Sequence, residues 1–251
     1  MDTAEKDVQK WTPTALETLM ATTAVLSDAL PRSVNAVFIH GSPIRDDHRD
    51  EVILKYVAGF SNMPRGEMLD VPYDRYADYV ILNGLTREAC RAKNLAYNGF
   101  EAWQETLVKR GVSEKSIIIL PPSSHTGAES RNLLLLAKER GWTKLAIASQ
   151  PHHQLRCFLQ IVALMSEVDY YPAVYNAPPP PIAWNYPMTK PVMAGGTAMT
   201  EDVMGTLPDH IAAEMERIVM YAQPLVDGGP KYTRNANFQE MFEYLDRRAK
   251  M

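Results

Sequence analysis

Four short apolar runs punctuate the first two-thirds of the chain. Each ends in turn-forming or small polar residues. They are VNAVFIHGS (34–42), ADYVILNG (77–84), KSIIILPPSS (115–124) and TKLAIASQP (143–151). Val, Ile and Leu dominate them, with little polar alternation. Strands covered on both faces read this way, which predicts a parallel sheet. VDYYPAVYN (168–176) is a fifth strand candidate, weakened by its internal Pro172.

Helical spacing occupies the intervals. FEAWQETLVKRG (100–111) precedes the third run and stops at a glycine. GAESRNLLLLAKERG (127–141) joins the third run to the fourth and stops the same way. HHQLRCFLQIVALMSEV (152–168) follows the fourth, and TALETLMATTAVLSDAL (14–30) precedes the first. Two further helices are predicted over 209–223 and 238–250. Strand, helix, strand at this spacing implies right-handed crossovers. The fold class is therefore α/β: a doubly wound, mostly parallel Rossmann-like sheet flanked by helices, with a helical C-terminal extension. The core domain is expected over 1–176, a proline-rich connector over 177–190, and a helical extension packed on the core over 191–251. APPPPIAWNYP (177–187) reads as a stiff polyproline connector, with a lid or partner-contact loop as the alternative.

Composition narrows the function classes. The 251 residues are 46% apolar and 22% charged, enough to bury a full core. A net charge of -4 argues against a dedicated nucleic-acid surface. No apolar run is long enough to span a bilayer, and MDTAEKDVQKWTPT lacks the pattern of a signal peptide. Cys90 and Cys157 provide neither a disulfide framework nor zinc spacing, so a reduced, cytoplasmic location is expected. Cys157 falls in an apolar helix and reads as a small core residue.

In an open α/β sheet, ligands bind beyond the carboxyl ends of the strands. Those ends supply His40, Gly41 and Ser42; Asn83 and Gly84; PPSSHTGAES (121–130); and SQPHHQLR (149–156). Gly41 and Gly84 would let a ligand approach the backbone. Pro151 suits a first helical turn, with Ser149 or Gln150 as cap. His153 and Arg156 then share one helix face. With the free N–H groups of a helix start, they would cradle a phosphate or carboxylate. His153, near neutrality in its ordinary pKa, is the candidate general acid/base. His152 reads as a packed or solvated residue. Thr126 and Glu129 fit a capping box; alternatively Glu129 faces the cleft and accepts from a ligand or from Arg156.

Several signals are missing. No G-x-S-x-G elbow, phosphate-binding G-x-x-x-x-G-K-[ST] loop or G-x-G-x-x-G fingerprint is present. Asp46, Asp47 and His48 read as a solvated loop, and no metal site is expected. Ile211, Met215, Ile218 and Val219 form an apolar helical stripe, more often core than partner surface. Homodimerisation through it, or a non-catalytic interaction protein using the proline loop and C-terminal helices, is the alternative reading.

The order of these motifs resembles the YdcF-like family, related to SanA/ElyC-type domains. HGS stands at the family's first strand end, with Arg45 or Arg49 as the arginine that follows, and NG stands at the second. Glu101 and Ala102 begin a helix, and Gly111-Val112 matches a G-V step before the third strand. Glu129 matches the acidic position, with Ser130 where Asn is usual. Ser149, His153 and Arg156 match the final motif in register. The resemblance covers about residues 34–176. The chain departs from the pattern at three places. Its glycine pairs are reduced to Gly41-Ser42 and Gly84-Leu85, Thr126 stands three rather than two before Glu129, and an extension follows residue 177. The resemblance implies a Rossmann-like domain binding a small anionic or nucleotide-like ligand, S-adenosylmethionine or a phosphorylated metabolite. By this resemblance the ligand-binding residues would be Gly41, Ser42, Arg45, Asn83, Gly84, Ser149 and Arg156, with His153 and Glu129 catalytic. Without the membrane anchor of the SanA and ElyC types, an envelope role is not expected.

Overall fold

The buried β-strands of this chain carry apolar side chains on both faces, and the computed structural model shows why. It describes residues 11–41, 47–61, 76–93, 97–179, 188–194, 197–205, 207–222 and 234–251. Five strands, β1 (Ser33–Ile39), β2 (Tyr76–Leu82), β3 (Ile117–Ile119), β4 (Lys144–Ala148) and β5 (Ala173–Asn176), form one all-parallel sheet in the order β3-β2-β1-β4-β5. The fifth candidate is a strand after all; it begins just past Pro172, where the missing N–H no longer matters.

Alternate residues feed two cores. Ala36 and Phe38 of β1, with Leu145 and Ile147 of β4, face a cluster built with α1 (Ala15–Leu26), α5 (Thr126–Arg140) and α6 (Pro151–Val168). Val37, Ile39, Ala146 and Ala148 face the opposite cluster. It is built with α2 (Asp47–Ser61), α3 (Arg87–Ala92) and α4 (Phe100–Lys109). Helices on both sheet faces complete the doubly wound, Rossmann-like arrangement. Neither α2 nor α3 was expected from the apolar pattern.

The chain end is not purely helical. β6 (Met188–Ala194) and β7 (Thr197–Gly205) form an antiparallel pair before α7 (Leu207–Ala222) and α8 (Phe238–Arg248). Helix α8 is anchored on the core. Its capping box pairs Asn237 with Glu240, and Phe238, Met241 and Tyr244 are buried. The Tyr244 hydroxyl donates to the Pro172 carbonyl (2.9 Å) and accepts from the Val174 N–H (2.6 Å). Arg248 reaches both carboxylate oxygens of Asp28, at 2.6 and 2.7 Å. The proline-rich segment 180–187 lies outside the described residues. No helix among the described residues is long and apolar enough to cross a membrane.

Candidate functional site

The sheet order decides where a ligand belongs. The chain runs outward from β1 to β2 and β3, then returns across β1 to β4 and β5. The strand order therefore reverses between β1 and β4, and the carboxyl ends of these two strands flank the crevice in which α/β folds bind ligands.

Period-two alternation carries the β1 end into this crevice. His40 follows Ile39 and falls on the Phe38 face; the two rings meet edge to face, 4.5 Å between centroids. Its N–H donates to the Ala148 carbonyl (2.9 Å), so the ladder to β4 continues through it. On that face His40 meets α5. His40 Nδ1 stands 3.0 Å from Glu129 Oε2, and both residues are buried. Asn83, at the matching place after β2, gives its side-chain N–H groups to Glu129 Oε1 and the Ser123 carbonyl, each at 2.6 Å. Its Oδ1 accepts from the backbone N–H groups of Ser123 (3.0 Å) and Leu85 (3.3 Å). Asn83 thus ties the loop after β3 to the β2 end and aims Glu129 at His40.

The capping-box expectation at the start of α5 is corrected here. The N-cap is His125, without a side-chain cap bond, and Thr126 is the first helical residue. Glu129 does not reach back to the helix start, because His40 and Asn83 hold both of its oxygens. The Thr126 hydroxyl instead accepts from Arg156 Nη1 at 3.3 Å.

At the β4 end, α6 begins at Pro151 with Gln150 as N-cap and no side-chain cap bond. His153 and Arg156 share a face, with Arg156 Nη2 3.0 Å from His153 Nδ1. Their carboxylate is Glu214 from α7, not Glu129. Glu214 Oε2 lies 3.0 Å from His153 Nδ1 and 2.6 Å from Arg156 Nε, and Oε1 pairs with Arg217. All four residues are buried. Burial alone would raise the Glu214 pKa; Arg156, His153 and Arg217 outweigh it and hold the carboxyl well below the usual carboxylate range. Burial, then the adjacent Arg156 charge, push His153 down to about 4. His153 is therefore neutral at neutral pH. Its Nδ1 stands 3.0 Å from both Glu214 Oε2, an acceptor, and Arg156 Nη2, a donor.

Two histidine–carboxylate pairs thus stand astride the β1–β4 crevice. The imidazoles of His40 and His153 are 6.4 Å apart between centroids, nearly perpendicular at 85°. The Nε2 atoms of both are buried without a hydrogen-bond partner. Gly41 and Thr126, on either side, are half-buried and bring the cluster toward solvent. His152, also buried, packs its ring against His210 of α7 (5.4 Å).

The remaining candidates sit as follows. Ser42 and Arg45 lie outside the described residues, as does the side chain of Arg49. A Cβ on Gly41 would press against Glu129 Oε1 (3.3 Å) and the Tyr97 ring (3.8 Å), so glycine there makes room for the His40–Glu129 pair. A Cβ on Gly84 would collide with the Leu120 carbonyl, so this glycine permits close strand packing. Ser149 is buried on the α6 side, beside Cys157. Burial pushes the Cys157 thiol up, which leaves it an inert core residue.

Sequence reasoning missed Glu214, Arg217 and His210, and named His40 at the first strand end without giving it a role. The apolar stripe Ile211, Met215, Ile218 and Val219 hid the fact that His210, Glu214 and Arg217 recur at helical spacing on one face. That polar face, with Ile218, is what α7 buries. His40 was legible from period two, since it lies two residues beyond Phe38. Fold and cluster together define an α/β protein of Rossmann-like topology with a buried acid–imidazole cluster at its strand-order reversal. No family model and no curated protein matches the chain.

Proposed function

We propose that this chain binds, and acts on, a small anionic or nucleotide-like ligand at the carboxyl edge of its sheet, in the manner of the YdcF-like proteins. The single observation that carries this reading is the pair of unpartnered imidazole nitrogens, His40 Nε2 and His153 Nε2, buried at the β1–β4 crevice. A buried polar atom without a partner costs roughly 1–3 kcal/mol. Two of them at one crevice are retained for something that supplies hydrogen-bond partners. With Nδ1 turned to Glu129, His40 Nε2 offers a lone pair to an O–H donor, a hydroxyl or a water.

The anionic part follows from charge. Arg156 places a guanidinium in the second turn of α6, where it shares Glu214 with Arg217 of α7. The helix start adds its own partial positive charge. A phosphorylated, hydroxyl-bearing metabolite matches both features. S-adenosylmethionine matches less well: its ammonium and sulfonium need an open carboxylate, and both Glu129 oxygens already accept hydrogen bonds.

The test is a melting screen against inorganic phosphate, sugar phosphates, nucleoside monophosphates and S-adenosylmethionine. A ligand at about 100 times its dissociation constant stabilises the fold by about 2.7 kcal/mol. Phosphorylated compounds are expected to raise the melting temperature in a saturable way, and S-adenosylmethionine less or not at all. Absence of stabilisation by every anionic compound removes this reading.

A further inference from the structure

The two histidines of the crevice are alike in burial and pairing, yet their carboxylates differ. Glu214 divides its charge among His153, Arg156 and Arg217. A proton arriving on His153 would create a third cation around one carboxylate, with the Arg156 guanidinium 3.0 Å from the ring. Glu129 is placed differently: its described partners are His40 Nδ1 and the Asn83 amide, with no guanidinium among them. Its charge is therefore available to stabilise an imidazolium as it forms on His40. Asn83 holds the carboxylate from the far side, and Gly41 leaves it the space to stay there. An imidazole oriented by a carboxylate through Nδ1, with Nε2 unengaged, is the arrangement of a general base.

We propose that His40 is the proton-transferring catalytic residue of this site, with Glu129 as its positioning residue, in the hydrolysis of a phosphate ester. His40 Nε2 takes a proton from a water molecule. The water oxygen forms a bond to phosphorus as the bond from phosphorus to the ester oxygen breaks. The departing alkoxide, on the opposite side of phosphorus, takes a proton from solvent and leaves as the alcohol, and His40 gives its proton up to solvent. Water and ester become alcohol and inorganic phosphate, and His40 returns to its neutral form. The Arg156 guanidinium, beside His153, lies on the phosphoryl side. His153 stays neutral and moves no proton. This assignment rests on the ligand reading above and adds the reaction and the residue that drives it.

The experiment measures hydrolysis of p-nitrophenyl phosphate and of a nucleoside monophosphate panel, alongside melting with inorganic phosphate. Wild-type protein is expected to be stabilised by phosphate and to turn over at least one ester. His40→Asn is expected to keep the phosphate-induced melting shift while kcat falls at least about 100-fold, the scale of a lost general base. Free imidazole is expected to restore part of the rate to His40→Gly. Glu129→Gln is expected to lower kcat with KM within about twofold of wild type, since it orients His40 without touching substrate. It also preserves side-chain volume should the His40 variants melt at assay temperature. Stabilisation by phosphate without turnover of any ester overturns the reaction. Turnover that survives His40→Asn, or that falls further in His153→Asn than in His40→Asn, overturns the residue assignment. Loss of phosphate stabilisation in wild type instead removes the ligand reading.

Discussion

Helix α5 brings Glu129 to the crevice and α6 brings His153 and Arg156, and the two resulting histidine–carboxylate pairs behave as opposites. Glu129 of α5 meets one imidazole and one amide; Glu214 of α7 meets the imidazole and guanidinium of α6 and the guanidinium of Arg217 on its own helix. Hydrogen-bond length does not distinguish them, since both His–Glu contacts are 3.0 Å. What differs is the charge around each carboxylate. The first pair is a histidine with a dedicated anion. The second is a histidine locked in its neutral form inside an arginine cage. A histidine's chemistry at a buried site is set less by its own partner than by what else that partner must neutralise.

The largest expected effect separates the pairs by stability. Glu214→Ala takes the carboxylate from buried Arg156 and Arg217, and breaking a buried charge network in this way costs about 3–5 kcal/mol. Glu129→Gln keeps the volume, retains a carbonyl acceptor and strands no arginine among its described partners; the expected loss is about 1 kcal/mol. Urea unfolding of the two variants reads the difference directly. Equal losses would break the comparison.

Acid should sharpen it. His153 binds a proton more readily unfolded, at its ordinary value near 6.5, than folded, at about 4. Between those values the unfolded state holds the extra proton, so stability falls as pH drops from about 6.5 toward 4. The gap amounts to about 3 kcal/mol. The Glu214 carboxyl, held below its ordinary range, adds its own loss only below pH 4.5. His153→Gln is expected to flatten the upper part of this decline by about 1.4 kcal/mol per pH unit. Urea midpoints of both proteins from pH 7 to 4.5 provide the check. Parallel curves would mean that His153 is not the group responsible.

The smallest expected effect tests the join between α5 and α6. Thr126→Val removes the acceptor of Arg156 Nη1 but leaves Glu214 in place. A loss of about 0.5–1.5 kcal/mol is expected, because Glu214 and not Thr126 holds the guanidinium. A loss approaching that of Glu214→Ala would show that the two helices depend on this contact instead.

The parallel sheet was legible because a strand buried on both faces must be apolar throughout, as VNAVFI, YVIL and KLAIA are. The α6 start was legible too: Pro151, with His153 and Arg156 three residues apart, leaves little choice of geometry. What stayed hidden was tertiary. Thr126 and Glu129 fit a capping box locally, yet His40 and Asn83 compete for the same carboxylate from 89 and 46 residues away. Glu214 lies 61 residues from His153, on a helix whose apolar stripe drew attention from its polar face. The β6–β7 pair was obscured by Pro191, a poor strand residue, although Gly195-Gly196 between the two runs is a hairpin signal in the sequence. Helix α2 was passed over although Ile53, Leu54, Val57 and Ala58 already spell one buried face.

The difference between the two histidines is most directly measured by long-range proton–nitrogen NMR of the imidazole rings. The tautomer and charge of His153 would be followed from pH 8 to pH 5. The account predicts a neutral ring across that whole range, and still neutral in Glu214→Gln, which removes the one charge that raises the His153 pKa. A His153 that gains a proton near pH 6.5 in the intact protein would contradict it.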